Sequence, residues 1–157
     1  VQLLAKTYNL TLNIVLKSNV ILAGAGKNLT TIVFSSSSAI RNESGLSNFG
    51  ITGLTVSGGQ NNPLVIDDGD TFILDNVKVL NAAGDGIRIL NSEEFRLENC
   101  ESTGSGNEGI AIISTTGICR RFSLQSCISS ENSGKGFSFD NQSRGSIVKF
   151  KLESCIA

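Results

Sequence analysis

The sequence predicts an all-β fold, a parallel β-helix of about six to seven coils with three short strands in each coil. Three observations predict it. Five stretches open on phenylalanine and share one pattern: Phe49-Gly-Ile-Thr-Gly-Leu-Thr-Val, Phe72-Ile-Leu-Asp-Asn-Val-Lys-Val, Phe95-Arg-Leu-Glu-Asn-Cys-Glu-Ser, Phe122-Ser-Leu-Gln-Ser-Cys-Ile-Ser and Phe150-Lys-Leu-Glu-Ser-Cys-Ile-Ala. These phenylalanines step by 23, 23, 27 and 28 residues. A second alternation keeps the same time, at Leu64-Val-Ile66, Ile87-Arg-Ile89, Ile110-Ala-Ile112 and Phe137-Ser-Phe139, with steps of 23, 23 and 27. The composition is rich in turn residues, with 17 Gly, a single Pro and abundant Ser and Asn, as fits coils that spend about half their length on corners. Two apolar alternations locked to one period describe a unit that buries its apolar side only by stacking on its neighbours.

The N-terminal part follows a variant of the pattern. Leu10-Thr-Leu-Asn-Ile-Val-Leu alternates loosely, then Asn19-Val-Ile-Leu-Ala-Gly-Ala-Gly leads into Thr30-Thr-Ile-Val-Phe34. Placing Val20 and Leu22 in the phenylalanine and leucine slots gives a step of 29 to Phe49. Ser35 to Asn48, with four consecutive serines, reads as a long polar corner.

The repeat itself is clearest from residue 87 onward. Ile87 and Ile89 point inward and Arg88 outward, by the two-residue period of a strand. A corner runs from Leu90 to Glu94. Phe95 and Leu97 then face inward, with Arg96 and Glu98 outward. A tight bend falls at Asn99, Cys100 returns to the interior, and a long corner from Glu101 to Glu108 closes the coil before Gly109-Ile110. The bend position reads Gly53, Asn76, Asn99, Ser126 and Ser154, residue types that tolerate a left-handed backbone or bond their own main chain. Interior ladders of Phe, Leu/Ile and Val/Cys supply the core, each buried side chain contributing about 1.5–3 kcal/mol.

Of four cysteines, Cys100, Cys127 and Cys155 share one slot in successive coils, and Cys119 falls off the ladder in a lengthened corner. Rungs about 4.8 Å apart would allow one bridge. Buried free thiols satisfy the same spacing as small core residues. The missing CxxC spacing and histidines argue against a zinc-type metal site.

Net charge is −1 and the pI about 5.4, so no basic field exists to hold nucleic acid or an anionic membrane. No apolar run approaches the roughly 20 residues of a membrane span. Residues 1–157 read as one domain. Its open ends, Val1-Gln-Leu-Leu-Ala and Ser154-Cys155-Ile156-Ala157, suggest a segment of a longer protein or an end-to-end stacking homo-oligomer.

The run Lys6-Thr-Tyr-Asn-Leu, then Leu16-Lys-Ser-Asn-Val-Ile-Leu-Ala-Gly-Ala-Gly, then Thr30-Thr-Ile, resembles the opening coils of pectin-lyase-like right-handed parallel β-helix proteins. Asp85-Gly-Ile-Arg-Ile and Glu108-Gly-Ile-Ala-Ile resemble that superfamily's inner coils. The resemblance covers nearly the whole chain. It implies a right-handed helix, a secreted or cell-surface setting, and a sugar cleft along the outer face of one sheet. The matching sheet here is the one with the Gly-Ile strands, and its outward row is expected to read Val33, Val65, Arg88, Ala111 and Ser138. Asp67, Asp68 and Asp70 border it on one side, Asp85, Glu108 and Lys135 on the other.

Family mechanisms translate unevenly onto these residues. Pectate-lyase-like elimination uses an Arg or Lys base beside Ca²⁺, and Arg88 among Asp67, Asp68 and Asp85 would imitate that arrangement. Polygalacturonase-like hydrolysis and epimerisation rely on histidine, which this chain lacks. A glycosidase-type carboxylate pair remains: Asp85 and Glu108 occupy equivalent slots one coil apart, about 5 Å by rung spacing. The competing reading makes both simply polar corner residues. Candidate catalytic residues are therefore Asp85, Arg88 and Glu108, and candidate sugar contacts Asp67, Asp68, Arg88 and Lys135. No cofactor is called for beyond a Ca²⁺ at Arg88.

A second outer ladder, Asp75, Glu98, Gln125 and Glu153, lies beside Ile73, Arg96, Ser123 and Lys151 and reads as a solvated, mutually screened face. With no Trp and one Tyr, an aromatic sugar platform is not expected. Asn-x-Ser/Thr triplets begin at Asn9, Asn28, Asn42 and Asn141, and they matter only in a glycosylating host. The function expected is a non-catalytic structural or carbohydrate-contacting module of the adhesin, fibre or tailspike kind. The alternative is a polysaccharide lyase or glycoside hydrolase fragment.

Overall fold

A computed structural model describes residues 1–142 and 144–157. Sixteen strands follow one another and no helix occurs among the described residues. The first eight are β1 (Thr7–Leu10), β2 (Ile14–Leu16), β3 (Ile21–Ala23), β4 (Thr31–Phe34), β5 (Ile40–Asn42), β6 (Leu46–Gly58), β7 (Leu64–Asp67) and β8 (Gly69–Leu80). Then come β9 (Ile87–Leu90), β10 (Glu93–Glu98), β11 (Glu101–Thr103), β12 (Ile110–Ser114), β13 (Ile118–Gln125), β14 (Ile128–Ser130), β15 (Phe137–Asn141) and β16 (Ser146–Glu153). Among the described residues, then, no helix is long and apolar enough to cross a membrane.

Every strand pairing is parallel, and each strand pairs with its counterpart one coil away. One sheet runs β2–β5–β7–β9–β12–β15, one strand from each of six coils. The other runs β1–β4–β6–β8–β10–β13–β16, with β3, β11 and β14 attached beside it. The predicted phasing holds rung by rung: Phe49, Phe72 and Phe95 pair in register, as do Phe122 and Phe150. Ile21 and Leu22 pair with Gly50 and Ile51, so Val20 and Leu22 do occupy the phenylalanine and leucine slots.

The core lies between the sheets. Neighbouring rings of Phe49, Phe72, Phe95, Phe122 and Phe150 stack face to face with centroids 5.0, 4.9, 4.6 and 5.1 Å apart. Ile51, Leu74, Leu97 and Leu124 form a fully buried ladder beside them, with Ile66, Ile89 and Ile112 opposite. Phe150, the last ring of this series, is 44% exposed.

The bend residues Gly53, Asn76, Asn99, Ser126 and Ser154 all adopt positive φ, between 52° and 63°. A second left-handed ladder, not foreseen, immediately precedes the phenylalanine slot: Asn19, Asn48, Thr71, Glu94, Arg121 and Lys149, with φ of 50–61°. The coil needs a sharp turn there, so even residues with no preference for that region are held in it. Each costs about 1–2 kcal/mol relative to an ordinary backbone.

Three corners are shorter than expected. The stretch from Ser35 to Asn48 contains β5 and the start of β6. The segment from Glu101 begins with β11, whose Ser102 is buried, so the corner proper starts at Gly104. Between β9 and β10 only Asn91 and Ser92 remain outside strands. Cys119, expected in a corner, sits inside β13 with its side chain fully buried. Short polar strands that bury only one or two residues carry little apolar alternation, which is why they read as loops.

Candidate functional site

The outward row of the Gly-Ile sheet is Val15, Arg41, Val65, Arg88, Ala111 and Ser138. Val33 does not belong to it. It lies in β4 on the other sheet, paired with Asn9 and Ser57. The true member of that coil is Arg41, which sequence reasoning missed. In β5 the second inward position is Asn42 rather than an aliphatic residue, so the apolar alternation that marks its neighbours is broken. The step of 24 from Ile40 to Leu64 was the available signal.

Asn42 is buried for a structural purpose. Its Oδ1 accepts the Asp67 N–H at 2.8 Å and its Nδ2 donates to the Asp67 carbonyl at 2.8 Å, tying two coils together. Its Asn-x-Ser triplet is therefore not free for modification in the folded chain.

Over the first three rungs of this face lies a groove of about 770 Å³. Val15, Arg41 and Val65 are on the sheet row beneath it, Asn13 and Asn62 stand on one border, and Glu43 and Asp67 on the other. Arg41 is exposed and makes no ion pair among the described residues. Glu43 pairs with Lys17 at 2.5 Å, and Asp67 Oδ1 accepts from the Asn91 side-chain amide at 3.3 Å.

The border slot before the Gly-Ile strands reads Asn62, Asp85, Glu108 and Lys135, and it forms a continuous bonded series. The Asp85 N–H donates to Asn62 Oδ1 at 2.6 Å, the Glu108 N–H to Asp85 Oδ1 at 3.2 Å, and the Lys135 N–H to Glu108 Oε2 at 2.5 Å. Each side chain thus caps the backbone of the next coil. The following glycines are required by the same closeness: a Cβ on Gly86 would collide with the Ser102 hydroxyl, and one on Gly109 with that of Ser129.

Asp85 carries the most bonds of the series and is 1% exposed. Oδ1 also accepts from Asn107 Nδ2 at 2.6 Å, and Oδ2 accepts from Arg88 Nη1 at 2.5 Å. Both oxygens are engaged, by a cation, an amide and a backbone donor, which offsets the cost of burying the carboxylate. Asp85, Arg88 and Glu108 are thus brought together, but not as a pair of open carboxylates. Lys135 continues the line at the surface.

Asp67 and Asp68 stand at the opposite border: Asp67 pairs in register with Leu90, and the Asp68 N–H donates to the Leu90 carbonyl. Asp68 Oδ2 accepts from Ser44 Oγ at 2.6 Å. Asp70 lies on β8 in the other sheet, beside Ser47 and Glu93. The carboxylates that would ring a calcium ion at Arg88 therefore do not converge. Among the described residues no group of three or more acidic, cysteine or histidine side chains is arranged to hold a metal.

The second ladder is in register as Asp75, Glu98, Gln125 and Glu153. Its charges are answered locally, Glu98 by Arg96 at 3.6 Å and Glu153 by Lys151 at 2.9 Å. All four cysteines are free thiols here. Cys100, Cys127 and Cys155 donate to the carbonyls of Leu74, Leu97 and Leu124 at 3.3, 3.5 and 3.4 Å. Burial pushes the thiols of Cys100 and Cys119 above the ordinary range, so both stay protonated and unreactive at neutral pH.

The fold is similar to those of the A-modules of two Azotobacter vinelandii mannuronan C-5 epimerases, AlgE4 and AlgE6, each at a TM-score of 0.66. Identity is 21% and 18%, and 87% of this chain covers 50% and 49% of those modules. It is similar also to the catalytic domain of a GH87 α-1,3-glucanase, with TM-score 0.64 and 12% identity over 99% of this chain and 34% of that domain. The chain therefore spans about half the length of the epimerase modules and about a third of the glucanase domain. At these identities the likeness is one of fold. No curated protein sequence matches the chain. The family described as right-handed beta helix region matches residues 39–156. Six parallel coils, a stacked phenylalanine core and that match agree that the chain belongs to the right-handed β-helix family.

Proposed function

We propose that the chain is a carbohydrate-contacting structural module of a secreted or cell-surface protein, of the adhesin, fibre or tailspike kind. In this reading it holds a glycan in the groove over Val15, Arg41 and Val65 without cleaving it. The observation that carries the reading is a contrast. The open groove offers amide, guanidinium and carboxylate groups suited to sugar hydroxyls, while the catalytic candidate Asp85 is buried with both oxygens committed. A general acid or base must reach the proton it transfers, and Asp85 does not face solvent. Fold neighbours that act on mannuronan and on α-1,3-glucan support a carbohydrate partner.

Those same names favour a second reading, a lyase or glycosidase fragment centred on Asp85, Arg88 and Glu108. Eliminative and hydrolytic cleavage assayed across acidic and neutral polysaccharides separates the two. The expected result is binding without turnover. Turnover that disappears in Glu108→Gln would establish the enzyme reading instead.

A further inference from the structure

Three thiols stand in one row on successive coils, away from the groove. The Ile128 N–H donates to the Cys100 carbonyl and the Ile156 N–H to the Cys127 carbonyl, both at 2.9 Å, so the cysteines follow one another rung by rung. Cα atoms on adjacent rungs lie about 4.8 Å apart, inside the range of about 4.4–6.8 Å that a disulfide needs. Each sulfur leans toward the preceding coil. Cys155 Sγ donates to the Leu124 carbonyl at 3.4 Å, in the coil of Cys127, and Cys127 Sγ to the Leu97 carbonyl at 3.5 Å, in the coil of Cys100.

Access separates the two neighbouring pairs. Cys100 and Cys127 are buried, whereas Cys155 is half-buried, so an oxidant from solvent meets Cys155 first. Cys127 and Cys155 also lie between strands, Cys127 after β13 and Cys155 after β16. The rung beyond Cys155 is a single bridge between Ile128 and Ile156, which leaves that backbone room to shift. The Cys127 thiol is held below its ordinary value, first by a hydrogen bond with Cys100 and also by one with Cys155, although burial opposes this. Cys119 stands outside the row: Ile147 is its partner in the next coil, and its thiol donates to the Ile113 carbonyl at 3.4 Å.

We infer that Cys127 and Cys155 form an oxidation site, at which a small disulfide such as oxidised glutathione joins the two and staples the coil of β16 to that of β13. The Cys155 thiolate attacks one sulfur of the glutathione disulfide, forming a mixed disulfide and releasing one glutathione. The Cys127 thiolate then attacks Cys155 Sγ and releases the second. The two protein thiols give up two protons and two electrons, and the glutathione disulfide takes them up as two thiols. Closing the bond draws the sulfurs from roughly one rung spacing to about 2 Å, at the expense of their bonds to the carbonyls.

The test is incubation of the folded chain with oxidised glutathione, followed by intact mass and non-reducing tryptic mapping. Arg121, Lys135 and Lys151 place Cys127 and Cys155 in separate peptides, each without a second cysteine. Loss of two hydrogens, with those two peptides linked, supports the proposal. Amide exchange in β16 is expected to slow by about tenfold on oxidation. Cys127→Ser is expected to stop at one glutathione adduct on Cys155, Cys155→Ser to gain neither adduct nor bond, and Cys100→Ser to keep the bond. Should a serine variant fail to fold, the map of the unaltered chain decides by itself. Four free thiols after incubation, an adduct that never closes, a bond between Cys100 and Cys127, or a bond between two copies of the chain each overturns the proposal. Unchanged exchange in β16 of the oxidised chain overturns the stapling role.

Discussion

The buried carboxylate of Asp85 joins three parts of the molecule: the Arg88 guanidinium in its own coil, the Asn107 amide, and the Glu108 backbone in the next coil. Removing it would leave a cation and a backbone donor without partners in a partly buried border. Asp85→Ala is therefore expected to destabilise the chain by about 3–5 kcal/mol, as for breaking a buried ion pair from one side, read as a lower urea midpoint. Asp85→Asn should cost less, because its oxygen still accepts the Glu108 N–H. The equivalence of Asp85 and Glu108 was legible in the sequence. Their capping of the next coil was not, since that depends on which way each side chain leans along the axis. Left-handed residues divide the same way. Asn76 and Asn99 announce themselves by type, whereas Thr71, Glu94, Arg121 and Lys149 are held at positive φ by the coil and carry no local mark of it.

Among the elements, the stacked phenylalanines depend on their place in the series. Phe95 has a ring on either side, at 4.9 and 4.6 Å, and is fully buried. Phe150 has Phe122 on one side at 5.1 Å, Phe139 at 5.2 Å, and solvent beyond. Phe95→Ala is expected to cost about 3–5 kcal/mol, the range for an aromatic truncated in a packed core. Phe150→Ala should cost clearly less, and parallel chemical denaturation of the two variants measures the difference. The element most poorly read from sequence is β5, short and polar, with Asn42 replacing an aliphatic residue. Its misreading put Val33 in the outward row of the Gly-Ile sheet in place of Arg41.

At the scale of the molecule, a stack in which each coil touches only its neighbours should lose protection from its edges inward. Amides of β8 and β10, paired on both sides, are expected to exchange more slowly than those of β16 by on the order of a hundredfold. Amide exchange followed by mass spectrometry checks this. Uniform protection along the axis would mean that the coils unfold as one cooperative unit. The groove belongs to this scale as well, because it exists only where three successive coils align.

The sequence by itself determined the period, the parallel stacking and the inward or outward sense of most residues. It could do so because coils stacked in register turn linear position directly into rows, and the phenylalanine and leucine spacings mark those rows. Only the tertiary structure decided that Arg41 shares a row with Arg88, that a groove opens above it, and that Asp85 is spent on bonds to Arg88 and the next coil. Those facts depend on offsets between coils of unequal length and on side-chain direction along the axis, neither of which is encoded in a single repeat.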